Sequence, residues 1–501
     1  MCKQLLVIVL MLMTLCSRAQ HAPLEGAKLN YRIVGFSFST PTGGTYKLEV
    51  SKGNFSSEEL FIKNIVAAVT TAEGRSMVTL PDWGADYTWR VKRTDKASAG
   101  AKDSFHHFSV VLTPYTDVNS VRLNVTQQAS RYAAGFVFCD RPRVLYDMSG
   151  NPVWVLNDIA GIADEHAIIR DLKFTNKGTI TFLSNDKPYE ISYDGKILWS
   201  APKNNRLTND TVEKYHHEFT RMSNGHYMVC GTEQVQWVWK SIGPQDSSLF
   251  MATEQEIKKG TAGAGVKMPY GTVLELDEKG KIVWSWRSSV YYRTKDNGTQ
   301  RKISNPIDVH QNAFYFDEKT KELLVSFKNT CQIIKVKYPT GKVEKVIGTD
   351  PMKSFSGAPV FCEQHACRVN KKGELYMFNN NTCTPVGLPT VLMVDMKTSK
   401  ENDVKKIWEY NCPVNLGMRQ RMPLTNGGNV TELPDESIFV SMCSPYGNLF
   451  IVNRNKELLW NASLDHWNLI RQQWEPCDEY RASMITDRVA LEKAIWHGKN
   501  K

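Results

Sequence analysis

The sequence predicts an all-β protein, a six-bladed β-propeller preceded by a small N-terminal β-sandwich. Three observations predict it. A turn followed by an apolar strand carrying tryptophan recurs at roughly propeller-blade length, as in YDGKILWS, LDEKGKIVWSW and NRNKELLW. Hairpins opened by histidine recur between these strands, with eight residues separating His217 from Gly225 and His365 from Gly373. Ahead of them, up to about residue 130, the chain is a run of short alternating segments broken by Pro, Gly and Asn, with no helical period.

Taken in order, residues 1–19 read as a signal peptide. Lys3 precedes an apolar stretch from Leu5 to Leu15, and Ser17, Arg18 and Ala19 form a small-x-small cleavage site, so the mature chain is expected to start at Gln20 and to be periplasmic. A lipoprotein reading through Cys16 is weaker, because bulky Leu15 stands where a small residue is expected. Residues 20–130 are assigned to the sandwich, with KLNYRIVGF, TYKLEV, YTWRVKR and HHFSVVLTP as strands and His106 and His107 as plain strand residues.

Residues 131–488 are assigned to the propeller. Inner hairpins start near His166, His217, His310, His365 and Gly428, which makes five units. The tail YRASMI after Tyr480, joined to the strands from Gly135 to Leu156, supplies a sixth and closes the ring without exposed sheet edges. The tryptophans are read as packing residues between blades, and KVKYPTGKVEKVIG is the one version of the unit without tryptophan. Residues 489–501 read as a short helix outside the ring.

Composition limits the function. An apolar fraction of 42% and a charged fraction of 23% are those of a folded protein, and no internal apolar run is long enough to span a membrane. The formal charge of +10 suits attraction of small anions, whereas scattered lysines and arginines argue against nucleic acid as a partner. Of 11 cysteines, Cys2 and Cys16 lie in the leader; the odd remainder leaves at least one unpaired in an oxidising compartment. Cys362 and Cys367 bracket His365 and are expected to pair, with Cys383 and Cys412 as competing partners.

In a propeller the first strand of each blade lines the central channel, so His217, His310 and His365 are expected to converge there. Arg170, eight residues before Gly178, holds the equivalent place in the first unit. Three histidines could bind zinc, but no carboxylate partner is fixed by motif and the CxxC pairs of zinc sites are absent. Acid–base and nucleophilic chemistry is the stronger expectation, since imidazole titrates near neutrality. Lys328, at the end of the hairpin that His310 begins, adds a cation.

The segments YHHEFTRMSNGHYMV, IDVHQNAFYFDEKTKELLVSFKN and EQHACRVNKKGELYMFNN, with the closing YRASMI, resemble the bacterial arylsulfate sulfotransferases that do not use the nucleotide sulfate donor. The likeness covers about residues 130–485. It implies a six-bladed propeller, periplasmic location, often a homodimer, and ping-pong transfer of a sulfuryl group from a phenolic sulfate ester to a phenolic acceptor, with no metal and no cofactor. It further implies that His365 is the nucleophile that becomes a sulfohistidine, with His310 and His217 as its catalytic partners and His216 as the neighbour that could replace His217. Lys328, His216 and Arg170 are the candidate substrate-binding residues. Two departures stand out: Phe327-Lys328 where the family usually has Ser-Arg, and Asn379-Asn380-Asn381 where it often has Asp-Asn-Gly. Lysine keeps the charge but loses the bidentate fork that fits a sulfate. The rival expectations are a non-catalytic propeller that binds an anionic ligand or glycan, and a metal-dependent lyase or hydrolase.

Overall fold

Six antiparallel sheets, four of them four-stranded and two six-stranded, follow an N-terminal all-β unit. The computed structural model describes residues 21–40, 44–94, 104–164, 166–202, 214–243, 246–252, 254–263, 265–294, 302–303, 308–349, 359–383, 387–413, 427–443, 445–486 and 488–497. The proposed leader, residues 1–19, lies outside them. Of the described residues, 21–118 and 152–157 form one compact unit, and 119–151 and 158–497 form the other.

In the first unit, a five-stranded sheet runs in the order Ala27–Leu29, His106–Val110, Ala85–Arg93, Tyr46–Lys52, Ile65–Thr71, and Ile33–Ser37 pairs with Arg75–Thr79. The ring of Phe36 lies 5.3 Å from that of Trp89 and 5.9 Å from that of Phe108, so the alternating apolar residues of both sheets share one core. A short helix at Glu58–Lys63, which the sequence did not announce, buries Phe61 under the guanidinium of Arg90.

In the second unit, blade 1 has the strands Ile169–Phe174, Ile180–Ser184, Lys187–Ile191 and Ile197–Ser200. Blade 2 has Tyr215–Arg221, Tyr227–Gly243, Gly265–Leu276 and Ile282–Arg287, and Asp246–Met251 extends its sheet. Blade 3 has Gln311–Asp317, Glu322–Phe327, Gln332–Lys337 and Lys342–Gly348. Blade 4 has His365–Val369, Leu375–Asn379, Thr390–Val394 and Lys406–Asn411. Blade 5 has Asn429–Glu432, Ile438–Ser441, Asn448–Val452 and Leu458–Asn468; Val121–Gln127 pairs with the last of these, which places 119–130 with the second unit. In the sixth sheet Ala482–Ile485 pairs with Phe136–Cys139, which pairs in turn with Val144–Asp147. The ring therefore closes through strands from near both ends of the domain. A helix, Arg488–Trp496, follows the closing strand and buries Leu491, Ala494 and Ile495. Among the described residues no helix is long and apolar enough to cross a membrane.

The recurring tryptophans do more than fill space. Four outer-strand indoles donate to a carbonyl in the turn between the third and fourth strands of the next blade. Trp199 donates to Glu278 O at 3.1 Å, Trp284 to Pro339 O at 2.7 Å, Trp408 to Arg454 O at 2.9 Å and Trp460 to Met148 O at 3.0 Å. Blade 3 lacks the tryptophan, and Lys345 takes its place, donating to Met396 O at 2.8 Å and Lys397 O at 2.7 Å in the matching turn of blade 4. One device thus couples neighbouring blades: an apolar body packed against the next sheet and a polar tip that satisfies a turn carbonyl.

Trp460 is fully buried. Trp460→Phe, which keeps a ring but removes the donor to Met148, is expected to lower unfolding free energy by about 1 kcal/mol, and Trp460→Ala by about 3–5 kcal/mol, read from urea unfolding curves.

Candidate active site

The innermost strands of blades 1, 2 and 4 share an irregularity at their start. Pairing is regular at Arg170 with Leu183, His216 with Cys230 and His365 with Phe378, and the register then shifts. The residue after each of these three has a positive φ: 57° at Asp171, 58° at His217 and 50° at Ala366. In blade 3 His310 itself has φ 48°, with the shift between Gln311 and Ala313. Such bulges re-aim side chains at the rim of a sheet. By register, His216 is the counterpart of His365 and Arg170. Glycine spacing pointed to His217 because the blade 2 bulge holds one residue more than that of blade 4.

Both blade 2 histidines join the cluster. His216 Nδ1 and His217 Nδ1 are 2.7 Å apart, and His216 Nε2 lies 3.1 Å from Gly231 O. Since a carbonyl only accepts, His216 carries its proton on Nε2, its Nδ1 accepts from His217 Nδ1–H, and the lone pair of His217 is on Nε2. The ring of His217 is 5.6 Å from that of His310 and 5.9 Å from that of Tyr480, and His365 lies 6.4 Å from Tyr480. His217 and His365 thus face one aromatic side chain, with His216 and His310 against the ring of His217.

His365 is buried, 1% exposed. Its Nδ1 is 3.0 Å from Glu363 O and 2.8 Å from Asn380 Nδ2, which also donates to that same carbonyl at 2.6 Å. The carbonyl draws the proton to Nδ1 whereas the amide N–H calls for a lone pair there; in the tautomer that donates to the carbonyl the lone pair is on Nε2. Asn380 also donates to Gly427 O at 3.3 Å. The adjacent Gly428 has φ 94°, and a Cβ there would stand 2.3 Å from Phe378, so only glycine fits.

The imidazoles of His216, His217 and His365 are held neutral. Burial lowers the pKa of His216 to about 4, and burial with the positive surroundings of Arg481 depresses His217 and His365 well below the ordinary value. His310 is the most open of the four, with 37% of its side chain exposed. Burial lowers it too, but Asp308, 3.9 Å from its Nδ1, works in the opposite direction.

Two cations flank the cluster. Lys328 Nζ lies 3.6 Å from Glu363 Oε2, so its charge is partly matched in the loop that fixes His365. Arg170 lies over the ring of Tyr480 at 5.1 Å, and its buried Nε has no hydrogen-bond partner among the described residues. Burial pushes the phenol of Tyr480 up to about 12. Among the described residues, no group of three or more His, Cys, Asp or Glu side chains converges as a metal site would.

Beneath the histidines is a buried ionic layer that sequence reasoning missed. Arg481 Nη1 donates to Glu218 Oε2 at 2.9 Å and to His217 O at 3.2 Å, while its Nη2 donates to Asn312 O at 3.0 Å. Arg368 Nη2 donates to the other oxygen of Glu218 at 2.9 Å, and Lys173 bonds Asp171 at 2.8 Å. Burial raises the Glu218 carboxyl, but Arg368, Arg481 and Lys173 outweigh it and hold the group at about 2. The signal lay in plain view, in the Glu of HHEF and the Arg of YRASMI. Nothing in one sequence said that the two would meet.

The expected Cys362–Cys367 disulfide is corrected. Cys362 pairs with Cys383, with Cα atoms 6.1 Å apart, and Cys367 is a free thiol. Cys367 sits within the strand His365–Val369, its side chain packed among Leu375, Met377 and Leu392. Cys362 precedes that strand and meets the segment after its hairpin partner: Asn381 N donates to Cys362 O at 3.2 Å and Cys362 N to Asn379 Oδ1 at 3.0 Å. The two ends of one hairpin are joined across the loop that carries Glu363.

A family model described as Arylsulfotransferase (ASST) matches residues 123–238 and 240–413. The fold and the match define an enzyme of the sulfuryl-transferring class. The chain belongs to the arylsulfotransferase family, and as such is an arylsulfate sulfotransferase acting on aryl sulfates. No curated protein matches the chain. Among solved structures, a protein of unknown function from Bacteroides caccae is 10% identical, with 73% of this chain and 99% of that chain covered at a TM-score of 0.38. Virginiamycin B lyase from Staphylococcus aureus is 11% identical, covering 70% and 96% at 0.31, and the Myceliophteria thermophila Cps50 (Swd1) β-propeller domain is 11% identical, covering 68% and 89% at 0.34. At these scores the likeness carries no functional meaning for this chain.

Glu218→Gln would leave Arg481 and Arg368 facing a neutral amide in a buried layer. The expected loss is about 3–5 kcal/mol of unfolding free energy in denaturant titration, the range for breaking one side of a buried ionic contact.

Proposed function

We propose that the enzyme works by a ping-pong mechanism through a sulfohistidine at His365. The observation that carries this is the buried, neutral imidazole of His365 with the Glu363 carbonyl at its Nδ1; in the tautomer that donates to that carbonyl the lone pair is on Nε2. Nε2 attacks the sulfur of the donor ester, the N–S bond forms as the S–O bond breaks, and the phenolate departs. The positive charge that the ring acquires is spread towards the Glu363 carbonyl through Nδ1–H.

His310, open and beside Asp308, is the group suited to give a proton, as the imidazolium, to the departing phenolate and then, as the neutral ring, to take one from the acceptor phenol. The Nε2 lone pair of His217 is a second acceptor for a phenolic proton. The acceptor oxygen then attacks sulfur, the N–S bond breaks, and His365 returns to its neutral form. Arg170 and Lys328 would hold the sulfuryl oxygens, as cations do for transferring phosphoryl groups. Because Lys328 is engaged with Glu363, the guanidinium of Arg170 is assigned the larger share. The Cys362–Cys383 disulfide favours an oxidising compartment such as the periplasm as the place of work.

His365→Asn is expected to abolish both turnover and the gain of one SO₃ in intact mass after mixing with a chromogenic aryl sulfate. His310→Asn should slow formation and discharge of the adduct without removing it. Arg170→Ala should lower kcat/KM by about 10²-fold or more, and more than Lys328→Ala does. A His365→Asn protein that transfers sulfate at the wild-type rate sinks the mechanism.

The pH profile follows from the depressed imidazoles. Histidines with folded pKa values below 6.5 stay neutral in the site while the unfolded chain takes up protons from that value downward, so stability falls as pH drops below 6.5. Activity should persist into that range, with the acid limb of kcat/KM falling below 6.5 in a stopped assay.

A further inference from the structure

Nδ1 of His365 is served by two groups of opposite kind. Glu363 O, 3.0 Å away, can only accept a hydrogen bond, and Asn380 Nδ2, 2.8 Å away, can only donate one. Either protonation state of Nδ1 uses one of them and not the other. Both side chains are buried, Asn380 completely. The Cys362–Cys383 disulfide joins the residue before Glu363 to the third residue after Asn380, so the two groups are kept together at the ring.

The orientation of the Asn380 amide is fixed without reference to the histidine. Its nitrogen also stands 2.6 Å from Glu363 O and 3.3 Å from Gly427 O, and an amide oxygen in that place would face two carbonyl oxygens. The cost is that Asn380 Oδ1 is buried without a hydrogen-bond partner among the described residues. The side chain is therefore placed for its N–H groups, and these have more acceptors in reach than hydrogens to give. With a proton on Nδ1, the ring donates to Glu363 O and Asn380 donates to the carbonyls. With Nδ1 bare, one Asn380 N–H serves Nδ1 and the other a carbonyl. The hydrogens find acceptors in both states, which suits a ring that changes between them.

A ring that carries a sulfuryl group on Nε2 makes that change. As the free nucleophile it needs its proton on Nδ1, so that the Nε2 lone pair can attack. When the N–S bond has formed and the S–O bond has broken, the ring is a cation with the proton still on Nδ1; the neutral sulfated ring has lost it. Building on the sulfohistidine reading of His365, we propose that Asn380 is a positioning residue for the intermediate: it donates to the bare Nδ1 of the neutral sulfohistidine and so stores the sulfuryl group between donor and acceptor. An aryl sulfate and the neutral ring become a phenol and a neutral sulfated ring, with the negative charge on the sulfuryl group throughout. The proton from Nδ1 passes to solvent, His310 supplies one to the departing phenolate, and His310 recovers its own from solvent. For transfer, Nδ1 is protonated again and donates to Glu363 O, which makes the ring the better leaving group. The acceptor phenol gives up its proton and attacks sulfur, the N–S bond breaks, and His365 is back in its starting form.

The test follows the adduct itself. The purified enzyme is charged with 4-nitrophenyl sulfate, freed of excess donor, and its loss of SO₃ is timed by intact mass without acceptor across a range of pH. Asn380→Leu, which keeps the shape and removes the donor, should gain the same mass and lose it about three- to tenfold faster near neutral pH. Its decay should still slow as pH rises, but at a pH about one unit higher than in the wild type, because a bare Nδ1 without its donor holds a proton more tightly. A merely structural role would change the amount of adduct and leave that profile in place. In the wild type, ¹⁵N NMR of the His365 ring, assigned by its loss in His365→Asn, should show Nδ1 protonated before charging and unprotonated after it, with the Asn380 amide proton moving downfield. This second measurement decides the matter even if Asn380→Leu does not fold. An Nδ1 that stays protonated in the adduct, or an unchanged decay profile in Asn380→Leu, overturns the role of Asn380 and leaves the sulfohistidine standing; a wild type that gains no SO₃ overturns both.

Discussion

The contact between Arg481 and Glu218 sets the geometry of everything above it. Removing two charges from water costs several kcal/mol each, and a single attraction rarely repays that. Here the pair is repaid collectively: Glu218 is shared between two guanidinium groups, and Arg481 also donates to the carbonyls of His217 and Asn312. Those carbonyls belong to the bulged starts of blades 2 and 3. The ion pair therefore pins the irregular backbone that aims His217 and His310, and it does so from the strand segment that closes the ring. Low dielectric strengthens each of these contacts and makes each one costly to lose.

The blades around this layer are held together by repetition of a simpler contact. A tryptophan tip reaches a turn carbonyl of the next blade four times among the described residues, and Lys345 does so where the tryptophan is missing. Lysine can replace tryptophan because both combine a long apolar body with a terminal N–H donor. What the contact requires is reach and a donor at the end of it, more than aromaticity.

Much of the architecture was legible because it repeats. Recurring turn-and-tryptophan strands gave the blades, and the tail after Tyr480 supplied the closing strand. Histidines at matching places in the hairpins marked the channel mouth. The details that failed were those that repetition hides. A one-residue difference in bulge length moved the register equivalence from His217 to His216, and glycine spacing could not register it. The cysteine partner was misjudged because proximity in sequence was taken for proximity in space, while a hairpin brings its two far ends together and buries the residue between them. The ionic layer was invisible for a similar reason: Glu218 and Arg481 lie on strands far apart along the chain.

Closing the ring with Ala482–Ile485 against Phe136–Cys139 has a consequence for how the protein reaches its folded state. Blades 1 to 5 can form from neighbouring segments as they appear, but the last sheet needs a strand from near each end of the domain, which is a contact of high order and correspondingly slow. Until Arg481 arrives with that strand, Glu218 and Arg368 face each other without the residue that ties them to blades 2 and 3. Assembly of the channel is thus expected to come late in folding. A nascent chain lacking that last segment would be expected to hold much of its secondary structure and still have no organised centre, so the competent site needs the whole domain.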